Sequence, residues 1–369
     1  MTQTKFAVIG GGHRALQFLR VARQLPDLFT VSSVFMRDSE KREKLAQEWD
    51  VPTSSTLDEL LTSKPEFVVV NVSYDVAPMF IKELFDRGIP ALTETPPAHP
   101  LEGLIQLYQQ TDKGRMVQVS EQYHQRPMHL ARILTVQSGL LGSITEAQVS
   151  AGHGYHGVSI MRKLLGVDFE PVKIVARRFA APVITSDDGS NEERSEECQT
   201  LAWLDYEGKL GVFDFASSQY STRIRASRIM VRGDRGEIDN TTVRYLDQNA
   251  APITTELTRN EAVSDSDTQE CKCSFVASEI HGAAHNTSLL KGITLGDKWI
   301  YRNPFFPAEL SDDRVAVATF LQRMAEYVKG GPSFYSLAEA AQDHYLGMMI
   351  DKAAKTGVPV IAEPQVWAL

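Results

Sequence analysis

The sequence predicts an α/β protein in which an N-terminal doubly wound parallel sheet is followed by an α+β domain with a large, mostly antiparallel sheet. Short apolar runs alternate with amphipathic segments over about the first 120 residues, as in a parallel sheet with crossover helices. Between residues 172 and 246, strand patterns follow one another without intervening helices, which is typical of antiparallel sheets. With 369 residues, the chain is too long for one ordinary core. We therefore expect two domains, at residues 1–122 and 123–336.

The first domain is delimited by five apolar runs and the capping signals between them. We predict strands at residues 6–9, 29–35, 67–70, 89–93 and 116–120. Helices are expected between the strands, with Ser39 as the cap of the second helix and Pro78 and Pro100 opening later ones. A last helix, at residues 337–355, carries an apolar stripe that we expect to pack back on this domain.

A glycine-rich turn directly follows the first strand. It has the pattern G-x-G-x-x-A, in which Gly10 allows a tight turn and Gly12 allows the backbone to approach a pyrophosphate. Ala15 keeps the following helix close to the strand, and the free N–H groups at the helix N-terminus face the phosphates. An isolated match of this kind is also compatible with a turn of no function, but strand and helix patterns flank it here. The turn therefore predicts a dinucleotide site.

The end of the second strand bears on the choice of dinucleotide. An acidic residue at this place binds the ribose 2′-hydroxyl in dinucleotide folds, but here Met36 occupies it and Arg37 follows. An arginine suits a 2′-phosphate, so we favour NADP over NAD, although Arg37 could instead stack on the adenine or lie in solvent. We assign eight residues to the cofactor: Gly10, Gly12, His13, Arg14, Arg37, Ser73, Glu94 and Pro96.

Several segments together resemble the glucose–fructose oxidoreductase and inositol dehydrogenase (Gfo/Idh/MocA) family over nearly the whole length. They are AVIGGGHRA, GIPALTETPPA, YHGVSIMRKLLG and the C-terminal FYSLAEAAQDHYLGMMIDKAAKTGVPV. The resemblance implies a Rossmann domain followed by a substrate and oligomerisation domain. It also implies an NAD(P)-dependent oxidoreductase whose open sheet face joins subunits into a homodimer or homotetramer.

The sequence departs from this family at the loop after the 89–93 strand. Where the family has Glu-Lys-Pro, this chain has Glu94, Thr95 and Pro96. The family's lysine orients the substrate and stabilises developing oxyanion charge, whereas a threonine carries no charge. A family histidine after the preceding strand is also replaced, by Ala77. We expect Thr95 and Glu94 to shape the floor of the site, and we assign Thr95 to the catalytic residues.

A cluster of rings opens a helix in the second domain, in the segment GHGYHG. His156 aligns with the family's histidine at the head of this helix, and we predict that it is the base that removes a hydroxyl proton. The aspartate one turn earlier is replaced by Gly152, and a later acidic position is Ser159. The alternative for His156 is a capping or structural role. His153 and His124 are second-rank candidates for this base.

Three further residues are candidates for the substrate site because their polar rings can hydrogen-bond or stack on a sugar. They are Tyr123, His124 and Tyr155. We expect no metal, because neither His153 with His156 nor the pair Cys271 and Cys273 has further ligands that the sequence identifies.

Composition limits the class of partner. The net charge of −9 lacks a compensating basic block, which argues against nucleic acid and anionic membranes. No apolar run reaches the length of a membrane span, and the chain enters a strand at once rather than a signal peptide. Three cysteines without disulfide-framework spacing indicate reduced thiols. We therefore expect a cytoplasmic protein that binds small molecules.

The leading hypothesis is hydride transfer between a nicotinamide and a hydroxyl or keto group of a sugar, cyclitol or related polar metabolite. Two alternatives stay open. The first is a dinucleotide or sugar sensor that has lost the chemistry, which the missing lysine favours and the polar rings of GHGYHG oppose. The second is a glycosidase-like enzyme with tightly held NAD, which would cleave a nitrophenyl glycoside without added cofactor.

Overall fold

The apolar run at the start of the sequence lies in the middle of a parallel sheet, where no side chain needs to reach water. In the computed structural model, residues Phe6 to Ile9 are fully buried between two neighbouring strands. The structure describes residues 3–185, 193–222, 224–262 and 289–368. They divide into two units, one of Met1–Gln122 with Arg314–Gln342 and the other of Tyr123–Asp313 with Asp343–Leu369.

The first unit contains a six-stranded sheet in the order β3-β2-β1-β4-β5-β6, in which every neighbouring pair is parallel. This order, with helices as the crossovers, is the doubly wound topology expected from the sequence. The strands are β1 (Thr4–Ile9), β2 (Phe29–Phe35), β3 (Thr53–Ser54), β4 (Phe67–Val70), β5 (Ala91–Thr93) and β6 (Val117–Val119). The helices are α1 (His13–Gln24), α2 (Ser39–Trp49), α3 (Leu57–Thr62), α4 (Ala77–Asp86) and α5 (Leu101–Gln110).

Two details of this unit differ from the sequence-based expectations. The cap of α2 is Asp38, whose carboxylate accepts a hydrogen bond from the backbone N–H of Lys41 at 3.0 Å. Ser39 is therefore the first helical residue and not the cap, because a carboxylate one residue earlier already satisfies the first-turn donor. Strand β3 was not predicted, since two residues are too few to show a period.

The second unit is built on an eleven-stranded sheet in the order β16-β15-β14-β13-β12-β11-β7-β10-β9-β8-β17. Only β7 and β10 pair in parallel among these neighbours, which confirms the mostly antiparallel sheet. The strands are β7 (Ile144–Ser150), β8 (Val172–Thr185), β9 (Glu193–Tyr206), β10 (Lys209–Ala216), β11 (Arg228–Gly233), β12 (Gly236–Asp239), β13 (Thr242–Leu246), β14 (Pro252–Ala262), β15 (Leu289–Leu295), β16 (Lys298–Arg302) and β17 (Val360–Ala362).

Helices cover one face of this sheet and leave apolar side chains on the other. Helices α6 (Pro127–Gln137) and α7 (Gly154–Leu165) belong to this unit, and α7 packs on β7 and β10. Along β9, Ala202 and Leu204 are buried, whereas Leu201 and Trp203 between them are exposed. We call the exposed set the outer apolar patch; it consists of Leu201, Trp203, Phe179 and Ile361.

The remaining two helices are α8 (Asp312–Tyr327) and α9 (Leu337–Thr356). The sequence analysis placed residues 314–336 in the second domain and helix 337–355 on the first. In the structure, residues 314–342 belong to the first unit and the rest of α9 to the second. The cause is the edge of the first sheet, because the backbone N–H of Val119 on β6 donates to the carbonyl of Tyr335 at 2.9 Å. The side-chain oxygen of Gln118 also accepts from the N–H groups of Phe334 and Tyr335.

Candidate functional site

The glycine turn of the first unit is shaped for a ligand that approaches the backbone. Gly10 has φ +111°, and a Cβ there would lie 2.2 Å from the carbonyl oxygen of Asn71, so only glycine fits. Gly12 is the N-cap of α1, and no side chain of the described residues caps this helix. A Cβ on Gly12 would meet no described atom within 4 Å. The space beside Gly12 at the N-terminus of α1 is therefore open and the helix end has no side-chain cap, as a bound pyrophosphate requires.

A crevice of about 360 Å³ lies at the carboxyl ends of β1, β2 and β4, where ligands bind in open α/β sheets. It brings together four of the eight residues assigned to the cofactor, namely Gly10, Gly12, Arg37 and Ser73. The lining is completed by Gly11, Phe35, Met36, Asp38, Asn71, Val72, Val76 and Phe80. We call this the cofactor crevice; its glycines, open helix end and length along three strands fit a dinucleotide.

Asn71 is a residue of the crevice that the sequence analysis missed. Both polar atoms of its side chain are buried and have no hydrogen-bond partner among the described residues. A buried amide without partners costs free energy, and its position in the lining indicates that a ligand supplies them. The available signal was an asparagine directly after the apolar run of β4, at the edge where ligands bind.

The segment after β2 presents a cation to the crevice. Arg37 is exposed and lines it, whereas the neighbouring carboxylate of Asp38 is engaged as the cap of α2. Arg42 donates from Nη1 to the carbonyl oxygen of Met36 at 3.0 Å, which fixes the backbone beside Arg37. Met36 itself packs under the turn, because a Cβ on Gly11 would lie 2.5 Å from its sulfur.

A second polar group lies at the ends of β5 and β6. Arg14, on the first turn of α1, donates from Nη2 to Glu94 Oε1 at 3.0 Å and to the side-chain oxygen of Gln122 at 3.2 Å. Ser120 donates to the same Glu94 oxygen at 3.0 Å. Arg14 and Glu94, both assigned to the cofactor, are thus paired with each other. This pair fixes the side chain that precedes Thr95 and Pro96.

The other predicted residues of this unit lie outside the lining of the cofactor crevice. His13 is the first residue of α1 and is exposed, with its ring 3.4 Å from the side-chain nitrogen of Gln17. Thr95 and Pro96 follow Glu94 in the loop after β5 and are half-buried. The described lining of the cofactor crevice includes none of these three residues, His13, Thr95 and Pro96.

In the second unit, the loop 152–157 places two imidazoles at the start of α7. His153 is the N-cap of the helix and is exposed, whereas His156 lies in its first turn and is 6% exposed. The ring of His156 stacks on Tyr123 at 4.3 Å between centroids and contacts Tyr155, also at 4.3 Å. The ring of His153 lies 4.8 Å from that of His156 in an edge contact. The structure therefore brings these four predicted residues together.

A side chain at position 152, such as the aspartate that the resemblance implies there, would clash with its neighbours in this backbone. Gly152 has φ +78°, and a Cβ there would lie 2.9 Å from the Cβ of His156 and 3.2 Å from the ring of Tyr123. The later acidic position, Ser159, is fully buried and donates to the carbonyl oxygen of His156 at 2.8 Å. At both positions, 152 and 159, this chain thus has a small side chain in close packing.

Tyr123 is held by a buried ion pair. The guanidinium of Arg126 lies over its ring at 4.2 Å and donates to Asp313 at 2.7 Å. Burial raises the pKa of Tyr123 above its ordinary value, so its hydroxyl stays protonated. Burial is the largest single influence and acts to lower the pKa of Arg126, but Asp313, Tyr123 and Asp312 together outweigh it and the net shift is upward. His124, in the same short turn (Tyr123–Gln125), is buried.

Tyr220 is a further residue of this cluster that the sequence analysis missed. Its hydroxyl lies 2.8 Å from both the backbone nitrogen and Nδ1 of His153, and 3.2 Å from the hydroxyl of Tyr123. Tyr220 is distant in sequence and belongs to a turn after β10, so no local pattern links it to the loop 152–157. With Tyr123, Tyr155 and the two imidazoles it forms what we call the ring cluster.

The ring cluster offers hydrogen bonds and stacking surfaces without a fixed charge of its own, which suits a neutral polar ligand such as a sugar ring. Among the described residues, no three histidine, cysteine or carboxylate side chains are grouped as metal ligands. Cys271 and Cys273 lie outside the described residues. Within the described chain, every helix is too short or too polar to cross a membrane.

Comparison with known proteins finds a family match for the first unit and similar folds for the whole chain. Residues 4–121 match the family GFO_IDH_MocA, described as an oxidoreductase family with an NAD-binding Rossmann fold. No curated protein sequence matches the chain. Many solved structures have a similar fold, and three of them illustrate how far the similarity extends.

An oxidoreductase from Agrobacterium radiobacter, in complex with NAD+, L-tartaric acid and magnesium, superposes with a TM-score of 0.67 at 14% identity, covering 97% of this chain and 98% of its own. A myo-inositol dehydrogenase from Corynebacterium glutamicum gives 0.65 at 14% identity, covering 98% and 100%. The WlbA dehydrogenase from Bordetella pertussis, in complex with NADH and UDP-GlcNAcA, gives 0.62 at 13% identity, covering 98% and 100%.

At these identities, the three structures share the fold with this chain over nearly its whole length. The match of residues 4–121 adds a sequence signal on the unit that holds the glycine turn and the cofactor crevice. Residues 4–121 of this chain are thus similar in sequence to the Gfo/Idh/MocA oxidoreductase family with its NAD-binding Rossmann fold, and the fold of the whole chain is similar to that of the three solved structures.

Proposed function

We propose that this protein is an NAD(P)-dependent dehydrogenase that acts on a hydroxyl or keto group of a sugar, cyclitol or related polar metabolite. The observation that carries the proposal is the glycine turn, in which Gly12 leaves the N-terminus of α1 open at the cofactor crevice. The substrate class follows the neutral ring cluster, and it agrees with neighbours named for myo-inositol and complexed with UDP-GlcNAcA.

The residues of this chain would divide the work between the two units. Gly10, Gly12 and the first turn of α1 would hold the pyrophosphate, and Asn71 would hydrogen-bond to the dinucleotide. When bound, the nicotinamide supplies a hydride acceptor at C4. In the oxidising direction the substrate carbon gives up a hydride, the hydroxyl proton passes to the imidazole of His156, and a carbonyl remains. His153 is the second candidate for this role.

The preferred cofactor is proposed to be NADP. Arg37 lines the crevice beyond β2, and the one carboxylate beside it, on Asp38, is engaged in capping α2. A guanidinium at this place pairs with a 2′-phosphate, whereas no acidic side chain of the described lining is left for a ribose 2′-hydroxyl. Arg37→Ala should weaken NADPH binding and leave NADH binding nearly unchanged.

Calorimetric titration of NADPH and NADH into the purified protein is the first test. Binding of either cofactor, followed by reduction of its oxidised form when myo-inositol or glucose is added, supports a dehydrogenase. His156→Ala should then lose turnover while the cofactor affinity is retained. Turnover at the wild-type rate in that variant would show that the base is another residue.

The same titration separates the alternatives. Cofactor binding without turnover on a panel of sugars and cyclitols would favour the sensor, which the absent lysine at Thr95 supports. Cofactor retained through purification, with cleavage of a nitrophenyl glycoside in the absence of added NAD, would favour the glycosidase-like enzyme. Binding of neither cofactor would contradict the proposal.

We also propose that the protein is a homodimer or homotetramer, joined through the outer apolar patch on β8, β9 and β17. Trp203 on β9 lies opposite Val175 on β8, and Leu201 is exposed two residues before Trp203 on the same face, so apolar side chains of neighbouring strands share this face. Trp203→Lys should lower the mass measured by light scattering to that of a monomer. The control, Met79→Lys on exposed α4, should leave the mass unchanged. A monomeric wild-type protein would refute the proposal.

Finally, we propose a cytoplasmic location and no nucleic-acid or membrane partner. The net charge of −9 disfavours polyanions, and the one described cysteine, Cys198, is an exposed free thiol. Quantitative reaction of all three thiols with a maleimide, on protein extracted under denaturing and non-reducing conditions, tests the reduced state that this location requires.

A further inference from the structure

The carboxyl edge of the first sheet has two halves. A doubly wound sheet binds a dinucleotide across the place where the strand order reverses, which is between β1 and β4 here, with one mononucleotide on each side. Arg37 follows β2 and was assigned above to the adenosine half. The carboxyl ends of β4, β5 and β6 are therefore left for the nicotinamide half of the cofactor.

Arg14 places a positive charge on this second half. It lies in the first turn of α1, directly after the glycine turn, and its Nη2 donates to Glu94 Oε1 at 3.0 Å and to Gln122 at 3.2 Å. Glu94 follows β5 and Gln122 follows β6, and all three residues belong to the first unit. The guanidinium is thus drawn to the ends of β5 and β6, away from β2 and Arg37.

The negative charge of the pair is fixed in the same place. The backbone N–H of Glu94 donates to the carbonyl oxygen of Val70 on β4 at 3.2 Å. The hydroxyl of Ser120, a fully buried residue after β6, lies 3.0 Å from Glu94 Oε1. Main chain and side chain therefore both hold this carboxylate at the ends of the three strands.

Both charges remain within reach of a ligand. The side chain of Arg14 is 32% exposed and that of Glu94 is 13% exposed, so the pair lies at the surface of the edge and not in the core. A charge in such a half-buried position acts more strongly on a bound group than a charge in open water does. The Arg14–Glu94 pair can therefore act electrostatically on what binds beside it.

The two redox forms of a nicotinamide differ in charge. The oxidised ring carries a positive charge, whereas the reduced ring is neutral. A nearby guanidinium therefore favours the reduced form, and a nearby carboxylate favours the oxidised form. The ratio of the two affinities is also the factor by which the protein shifts the equilibrium between the bound forms.

We propose that Arg14 and Glu94 face the nicotinamide ring of the cofactor and set the relative affinity of the protein for its oxidised and reduced forms. The guanidinium offsets the carboxylate, so neither form is strongly preferred while the pair is intact. The sign of each effect depends only on which of the two charges is removed. This inference rests on the proposed function for the presence of a dinucleotide.

Calorimetric titration of NADP+ and NADPH into the wild type, Arg14→Gln and Glu94→Gln tests the proposal. The measured quantity is the dissociation constant of NADP+ divided by that of NADPH. This ratio should fall in Arg14→Gln and rise in Glu94→Gln, by about 3- to 30-fold in each case, as expected for one charge at a half-buried site. The double variant should return close to the wild-type ratio.

A matched control lies at the opposite edge of the same sheet. Arg115 precedes β6 and pairs with Asp112, also at 3.0 Å. Arg115→Gln removes one positive charge from the first unit, as Arg14→Gln does, and it should leave the ratio unchanged. An equal shift in both variants would mean that the total charge of the unit determines the ratio, and it would overturn the proposal.

The remaining outcomes are also decisive. An equal loss of affinity for NADP+ and NADPH in Arg14→Gln would place the guanidinium at the pyrophosphate and overturn the proposal. Shifts of opposite sign in the two single variants support it, because a general loss of folding cannot produce them. A wild-type protein that binds neither dinucleotide refutes the proposed function itself. Unchanged ratios in variants that still bind the cofactor refute this inference alone.

Discussion

The guanidinium of Arg162 on α7 and the carboxylate of Asp343 on α9 form an ion pair at 2.6 Å in the interior of the second unit, with side chains 5% and 2% exposed. The same guanidinium donates to the carbonyl oxygen of Asp168 from two nitrogens, at 2.6 and 3.1 Å. The helix that carries the two histidines is thereby anchored to the last helix of the chain.

Breaking this pair should be costly because one charge remains buried without its partner. We predict that Asp343→Ala lowers the free energy of unfolding of the second unit by about 3–5 kcal/mol in urea titrations. Asp351→Ala is the control, since Asp351 pairs with Arg178 at a similar distance of 2.7 Å on the exposed surface. That variant should change the free energy by less than about 1 kcal/mol. Equal effects of the two substitutions would contradict the prediction.

The two essential glycines of the cofactor turn should fail in different ways. In Gly10→Ala the new methyl group meets the Asn71 carbonyl at a left-handed φ, so we predict a lower thermal midpoint for the first unit. In Gly12→Ala the methyl group projects into open space, so the midpoint should stay near that of the wild type while NADPH and NADH affinity falls at least about 10-fold. Calorimetry and titration on both variants check this. Unchanged affinity in Gly12→Ala would move the pyrophosphate away from the turn.

The side-chain amide of Asn71 should lower the stability of the first unit and raise its affinity for the cofactor. Its buried amide lacks partners among the described residues, so we predict that Asn71→Leu raises the free energy of unfolding of the first unit by about 1 kcal/mol. The same variant should bind cofactor more weakly, because the ligand loses the amide. Denaturation and titration of one preparation measure both effects. A variant that loses stability and keeps its affinity would show that the amide is structural.

Stability of the second unit should depend on pH through His129. Burial, followed by the charges of Arg132 and Arg126, lowers the pKa of this imidazole well below 6.5, while in the unfolded chain it returns to about that value. Below about pH 6.5 the unfolded state therefore binds the extra proton. The free energy of unfolding should fall by up to about 1.4 kcal/mol per pH unit as the pH decreases towards the folded pKa.

The contribution of His129 can be isolated by comparing how steeply the free energy of unfolding depends on pH in different variants. His129→Gln should show a smaller loss of stability between about pH 6.5 and pH 5 than the wild type, as followed by urea titrations at each pH. His13→Gln, at an exposed position of the first unit, should keep the wild-type slope for the second unit. The prediction fails if His129→Gln retains that slope.

Local signals predicted most of the first unit because each of its longer strands is a buried apolar run between helices. Strand β4, at Phe67–Val70, has the bounds expected from the sequence, since all four side chains are fully buried. Strand β14 escaped prediction because its side chains are largely exposed and polar, so burial imposes no alternation on it.

The residues of the site also differ in whether a local sequence pattern reveals them. The glycines of the turn could be found because the backbone around a pyrophosphate demands them in a fixed spacing. Tyr220 and Asn71 could not, because their roles depend on what the fold places beside them. Gly152 is an intermediate case. The family resemblance implies an aspartate at this position, whereas the φ of +78° and the close contact with His156 explain why a glycine is found there.

The backbone bond from Val119 to Tyr335 has a consequence for synthesis of the protein. All six strands of the first sheet have left the ribosome soon after residue 122 is made, yet the segment that pairs with β6 follows roughly 200 residues later. At translation speeds of about 5–20 residues per second, that interval is roughly 10–40 s. During it, the nascent sheet offers an open strand to any neighbouring chain, which is a substrate for chaperones and a template for aggregation. Slow translation of the second unit should therefore reduce the soluble yield of the first.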